Sequence, residues 1–152
     1  MNKTPAYAAM LENKDNKGGR MNEGHMDFDA HTYIRILIAI AKSDPDNGPP
    51  EFNFVRKKAI KFGIDYEEYL KSTNKSYSFD NKKVSRLTAL MILRDAIALA
   101  SLDKNFSLPE RQRVFTYAEK LDISRTDVEK LENLVKESRQ LADRWKQLVA
   151  SH

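Results

Sequence analysis

Cysteine is absent from the 152-residue chain, and other residues on which active sites are often built are scarce. Without cysteine the protein has no disulfide, no thiol nucleophile and no thiolate-bound zinc. No two of the three histidines, His25, His31 and His152, lie four residues apart, the spacing that zinc hydrolases use. No apolar run approaches the length of about 18 residues that a membrane span needs.

The motifs of common enzyme classes are missing as well. The sequence contains no glycine-rich phosphate loop, no Gly-x-Ser-x-Gly elbow and no dinucleotide fingerprint. Paired carboxylates occur at Glu67-Glu68, but nothing in the pattern predicts that one is desolvated enough for acid–base chemistry. We therefore expect no catalytic residue and a protein that is not an enzyme. The weakly apolar stretch from Ala6 to Met10 is too short for a signal peptide, so we expect a cytoplasmic protein.

What the chain does contain is an internal repeat. Residues 33–68 and residues 92–127 align without gaps at an offset of 59, and self-similarity of this kind indicates a repeated structural unit. Each copy reads as an apolar helix, a short acidic loop and a second helix. The identical pairs are Arg35/Arg94, Ile38/Ile97, Ala39/Ala98, Ala41/Ala100, Asp44/Asp103, Pro50/Pro109, Glu51/Glu110, Val55/Val114, Ala59/Ala118, Lys61/Lys120 and Ile64/Ile123.

The pattern predicts an all-α protein, a compact bundle of about six to seven helices built from the two repeats. We interpret residues 1–26 as a flexible tail because they lack an apolar period. The single domain would then cover residues 27–152, with repeat one at 30–71, a link at 72–79 and repeat two at 80–150.

Capping residues predict where the helices begin. Asp27 or Asp29 should cap the first helix and Asp80 the long apolar helix of the second repeat, which would start near residue 81. Asp65 and Ser124 should cap the third helix of each repeat, each with an acidic residue three positions later as the reciprocal half of a capping box. We expect Arg35 and Arg94, which lie on apolar helices, to pair with carboxylates of the acidic loops or with Asp95.

The final helix carries a long apolar face at spacings of three and four residues. This spacing predicts a helix that lies across the bundle. The alternative is a protruding seam that binds another protomer or a partner protein. The partner-binding residues would then be Leu141, Trp145 and Leu148, with the single tryptophan as the anchor.

Two acidic loops are candidate cation sites. Carboxylate and amide oxygens recur at equivalent positions, and Ca²⁺ and Mg²⁺ prefer such ligands. The same Glu residues can instead cap the helices that follow, which is the structural interpretation. No cofactor is required, and the candidate ligands for Ca²⁺ or Mg²⁺ are Asp44, Asp46, Glu51, Asp103, Asn105 and Glu110.

These loops carry a family resemblance. An apolar helix ending in Ala-x-x-Asp, a short loop and a Pro-Glu pair occur twice, at Ala41–Glu51 and Ala100–Glu110, and the second copy continues to Lys120-Leu-Asp-Ile123. The pattern over about residues 30–140 resembles the TerB-like tellurite-resistance family, whose wider group includes the N-terminal domains of DjlA-type co-chaperones.

The resemblance implies an all-α bundle of bacterial origin with a role in stress response. It implies a protein partner or a homo-oligomer, peripheral association with a membrane-bound complex, and no enzyme activity. The family's proposed cation positions carry over onto Asp44, Glu51, Asp103 and Glu110. Where the family commonly has an Asp-Gly pair, this chain has Asp44-Pro45 and Asp103-Lys104.

The alternative function is nucleic-acid binding. Residues 53–86 contain nine basic and four acidic side chains, and basic clusters of this kind attract phosphate. The candidate contacts are Arg56, Lys57, Lys82, Lys83 and Arg86.

Overall fold

A computed structural model describes residues 27–77, 83–102 and 106–151 of the chain. These residues form helices and turns, with no strand among them, which confirms the predicted all-α bundle. The helices are α1 (Ala30–Ser43), α2 (Pro49–Lys61), α3 (Tyr66–Ser72), α4 (Arg86–Ala100), α5 (Leu108–Lys120) and α6 (Arg125–Ala150). The predicted tail 1–26, the end of the link and the candidate residues Asp80, Lys82, Asp103 and Asn105 lie outside the described residues.

Helices α1 and α4 form the centre of the bundle. Eight of the fourteen residues of α1 and ten of the fifteen residues of α4 are buried. The two helices pack against each other, α2 contacts both, α3 packs on α1, and α5 and α6 pack on α4. This arrangement is expected for helices that are apolar around most of their circumference, since only a central position buries every face.

Helix bounds recur at the interval of the sequence repeat. Helices α2 and α5 begin 59 residues apart and end 59 residues apart, and α3 and α6 also begin 59 residues apart. The turns after α2 and α5 are equivalent too. Gly63 (φ 70°) and Asp122 (φ 61°) occupy the left-handed region, and the amides of Ile64 and Ile123 each donate to a carbonyl five residues back at 2.9 Å. This is the Schellman ending of a helix.

The start of α4 differs from the prediction. Residues 83–85 are not helical, so the expected start near residue 81 with Asp80 as its cap is wrong. The cap is Ser85, whose Oγ accepts from the Thr88 amide at 3.1 Å. The segment before α1 fixes this position, because the Asp29 amide donates to Thr88 Oγ1 at 2.9 Å and Ser85 Oγ donates to the Asp27 carbonyl.

The other predicted N-caps are observed, but neither predicted capping box is complete, because the Glu68 and Asp127 side chains make no hydrogen bond to the Asp65 and Ser124 amides. Asp29 caps α1, Asp65 caps α3 and Ser124 caps α6. The carboxylate of Asp127 accepts from the Arg86 guanidinium at 2.7 Å. Arg86 thus ties the first turn of α4 to the first turn of α6.

The first residues of the predicted link pack against α1. Thr73 is buried, and its Oγ1 accepts from Arg35 at 2.6 Å. The Lys42 ammonium donates to the carbonyls of Leu70 and Thr73 at 2.5 and 2.6 Å. The prediction that Arg35 pairs with a carboxylate is therefore wrong. Its guanidinium donates to the hydroxyl groups of Ser72 and Thr73 and lies 4.1 Å from the centre of the Tyr69 ring.

Helix α6 does not lie across the bundle along its whole length. Val128 and Leu131 are buried, but beyond Arg139 nearly every side chain is exposed. The prediction that the final helix lies across the bundle is therefore wrong for its last three turns. The reason is length: α6 has 26 residues, whereas its counterpart α3 has seven.

Candidate functional site

The exposed part of α6 presents large apolar side chains to solvent. Leu141, Trp145 and Leu148 are 61%, 65% and 67% exposed, and Leu134 and Val149 are exposed to a similar degree. Scattered exposed apolar residues are ordinary on protein surfaces, but a contiguous stripe marks an interaction site. The three residues predicted from the sequence as partner-binding therefore lie together on one accessible helix.

Arg139 marks the point where α6 leaves the bundle. Its guanidinium donates to the Ser101 carbonyl and, at 3.4 Å, to the Ala98 carbonyl, both at the C-terminal end of α4. Helix α4 has no basic residue in its own last turn, so Arg139 supplies the positive charge that this end of the helix dipole favours. Local sequence patterns do not predict this contact, because it joins residues 38 and 41 positions apart.

In the first acidic loop, two of the three predicted ligands, Asp44 and Glu51, already have partners within the protein, and Asp46 is exposed. The Asp44 carboxylate accepts from the Asp46 amide at 2.9 Å and lies 3.7 Å from the Arg113 guanidinium. Glu51 accepts from the Gly48 amide at 2.8 Å, which caps α2. A cation bound by both Asp44 and Glu51 would compete with these contacts.

The second acidic loop is described only at its end. Ser107 and Glu110 form a complete capping box, in which Glu110 accepts from the Ser107 amide at 2.8 Å and Ser107 Oγ accepts from the Glu110 amide at 3.3 Å. Among residues 27–77, 83–102 and 106–151, no three acidic or histidine side chains come together as a metal-binding group.

A small cavity lies where the first loop meets α5. Asp44, Asn47, Glu110, Arg113 and Tyr117 line it together with apolar residues of α1, α4 and α5. Its volume of about 20 Å³ holds about one water molecule. The cavity is therefore too small for an organic substrate.

The basic residues of region 53–86 have different surroundings. Arg56, Lys57 and Lys83 are exposed. Arg86 pairs with Asp127, and its hydrogen bond holds the pKa of the Asp127 carboxyl below the ordinary value. Lys82 lies outside the described residues.

A buried polar cluster at the centre of the bundle has no counterpart among the predicted sites. Asp95 is 2% exposed and accepts from the Tyr33 hydroxyl at 2.5 Å and from the Arg94 guanidinium at 3.0 Å. The Lys58 ammonium lies 3.8 Å from the same carboxylate. Burial lowers the pKa of Lys58, and the Asp95 charge opposes that shift. The pairing of Arg94 with Asp95 confirms one of the expected partners.

Comparisons of the chain with models of protein families, with curated proteins and with solved structures find no match. The TerB-like resemblance consequently rests on the loop motifs and on the helical repeat. Within the part of the chain that the structure describes, no helix combines the length and the apolar character of a membrane span.

Proposed function

We propose that this chain is a non-catalytic, TerB-like helical domain that binds a protein partner through the exposed face of α6. The observation that supports this proposal is the stripe containing Leu141, Trp145 and Leu148, which leaves the bundle on a single helix. Large apolar side chains in such a stripe are costly in water, and aromatic residues are enriched at the centres of interfaces. The bundle would act as the scaffold and α6 as the binding element.

The resemblance extends the proposal to a cytoplasmic role in bacterial stress response, alone or at the surface of a membrane-bound complex. Loss of the gene should then lower resistance to tellurite or to a related stress. Restoration by the wild-type chain but not by Trp145→Ala would support a role for the α6 face in that response.

Site-specific photo-crosslinking in the source cells tests the binding surface directly. A photo-reactive phenylalanine analogue replaces Trp145, which is 65% exposed, so folding should be unaffected. The matched control places the same analogue at Lys136, an exposed position away from the apolar stripe. A protein adduct at 145 that is absent at 136 supports the proposal. Equal adducts at both positions, or none at 145, would overturn it.

Nucleic-acid binding remains the alternative function, based on Arg56, Lys57 and Lys83. Phosphate contacts weaken steeply as salt rises. Filter binding of the purified chain to DNA and RNA at two salt concentrations distinguishes the two functions. Retention at low salt that is lost in Arg56→Ala with Lys57→Ala would favour the alternative.

A further inference from the structure

The apolar residues of exposed α6 recur at the spacing of a coiled coil. Leu134, Leu141 and Leu148 follow one another at intervals of seven residues, and Ser138 and Trp145 lie between them at the other core position. In heptad notation the leucines occupy d, and Ser138 and Trp145 occupy a. All five side chains are exposed, so the seam is open along about two heptads.

This seam continues a face that is already used inside the bundle. Leu131, one heptad before Ser138, is buried against the other helices, and Arg139 anchors α6 to the C-terminal end of α4. The eleven residues from 140 to 150 extend about 16 Å beyond that anchor at 1.5 Å per residue. These residues continue a helix that is already formed, but they lack the tertiary packing that supplies most of the stability of protein helices, and a second helix packed on the seam would provide it.

Charged residues beside the seam indicate what that second helix is. Glu137 and Arg144 both occupy position g, are exposed and make no hydrogen bond or ion pair in the described part of the chain. In a parallel pair of identical helices each g residue faces e of the partner, and these e residues are Ala142 and Val149. In an antiparallel pair g faces g, so each Glu137 meets the other Arg144. The edge is complementary to itself only in the antiparallel orientation.

We propose that the exposed part of α6 pairs antiparallel with α6 of a second copy of this chain. Trp145 of each copy would pack over Leu134 of the other, Ser138 over Leu141, and two Glu137–Arg144 ion pairs would lie along one edge. This inference rests on the proposed function, since it names the occupant of the same face. The seam is short, so the dimer should be a weak one at the low end of interface sizes.

Sedimentation velocity of the full chain measures the association. We expect a reversible monomer–dimer equilibrium between about 1 and about 500 µM, as mass action requires. Trp145→Ala and Leu141→Ala should each weaken it at least tenfold, with helical content and melting temperature at low concentration unchanged. Lys136→Glu, a charge reversal on the opposite side of α6, is the matched control and should associate as the wild type does.

Charge exchange tests the orientation. Glu137→Arg alone places like charges together at both edge pairs, and so does Arg144→Glu alone. Each variant should self-associate roughly tenfold more weakly than the wild type, because two attractive pairs become repulsive. A mixture of the two variants restores both pairs, and the mixture should form a heterodimer about as tight as the wild-type dimer. In a parallel dimer residues 137 and 144 do not face each other, so mixing the two variants would not strengthen the association.

Three results would overturn the inference: a chain that stays monomeric at the highest concentration, a dimer that survives Trp145→Ala and Leu141→Ala, or a variant mixture no tighter than its components. Failure of the inference is distinguishable from failure of the proposed function. A photo-crosslink from position 145 to a different protein, in a chain that is monomeric by sedimentation, would leave the proposed function standing.

Discussion

Asp95 is the residue whose environment is most unusual for its chemistry. A buried carboxylate is costly unless it is paired and hydrogen-bonded, and here Tyr33 of α1, Lys58 of α2 and Arg94 of α4 surround it. The cluster joins three helices through directional contacts. Apolar packing alone tolerates small rotations of a helix, whereas this cluster fixes the rotation of α1 and α2 about α4.

Replacing Asp95 should therefore be far more damaging than replacing its neutral partner. Asp95→Ala removes the carboxylate that balances the charges of Arg94 and Lys58 and accepts from the Tyr33 hydroxyl, and we expect the free energy of unfolding to fall by about 3 kcal/mol. Tyr33→Phe removes one hydrogen bond and should cost about 1 kcal/mol. Urea denaturation measures both changes, and equal losses would show that the charge at Asp95 is unimportant.

Lys58 should produce a measurable dependence of stability on alkaline pH. Burial lowers its pKa in the folded state below the ordinary value of 10.5, so between these two pKa values the unfolded chain binds more protons. The stability contributed at this position therefore rises with pH as 10.5 is approached. We expect the difference in unfolding free energy between wild type and Lys58→Met to shift in favour of the wild type from pH 7 to pH 10. A constant difference would contradict a lowered pKa.

At the scale of the helices, the two equivalent turns after α2 and α5 adopt the same left-handed conformation with different residues. Glycine adopts it without strain, but an aspartate does so at a cost. Asp122→Gly removes the strain of the left-handed conformation but also increases the conformational freedom of the unfolded chain. Because the first effect is the larger, we expect the unfolding free energy to rise by about 0.5 kcal/mol. In Gly63→Ala the added Cβ would meet no neighbouring atom, but alanine is strained in the left-handed conformation. We therefore expect the unfolding free energy to fall by about 1 kcal/mol. Thermal melts of both variants provide the comparison.

The helix-capping and cation-binding interpretations of the acidic loops make different predictions for Glu110. As a cap, Glu110→Ala should lower the unfolding free energy by about 1 kcal/mol, and Glu51→Ala by a similar amount, whether the buffer contains EDTA or calcium. As a ligand, Glu110 should matter more when calcium or magnesium is present, because a bound ion stabilises only the folded state. Melting curves of both variants in EDTA, Ca²⁺ and Mg²⁺ separate the two cases.

Local signals in the sequence were sufficient for most helix bounds and insufficient for the contacts between helices. Asp29, Asp65 and Ser124 act within one turn, so a short window predicts the starts of α1, α3 and α6. The start of α4 was missed because backbone groups near Asp27 and Asp29 bind Ser85 and Thr88, about 60 residues away. The contacts of Tyr33 and Lys58 with Asp95, and the Arg139 anchor, escaped prediction for the same reason, whereas the pairing of Arg94 with its neighbour Asp95 was predicted.

The whole molecule divides into a bundle and an extension of one of its helices. Stability comes from residues up to about Leu131, whereas residues after Arg139 are mostly exposed. A chain that ends after Arg139 should therefore unfold cooperatively with nearly the wild-type melting temperature at about 1 µM, where a weak dimer is dissociated. The same chain should be monomeric at every concentration. A noncooperative transition would show that the extension belongs to the core.

The central position of α1 and α4 also has a consequence during synthesis. Helix α1 ends at Ser43, but its principal neighbour is complete only at Ala100. At about 5–20 residues per second, the ribosome needs several seconds to make the intervening chain. Throughout that interval the side chains of α1 lack the surface that later covers them. We expect the nascent first half to be the segment that chaperones bind, until α4 emerges and the two halves close together.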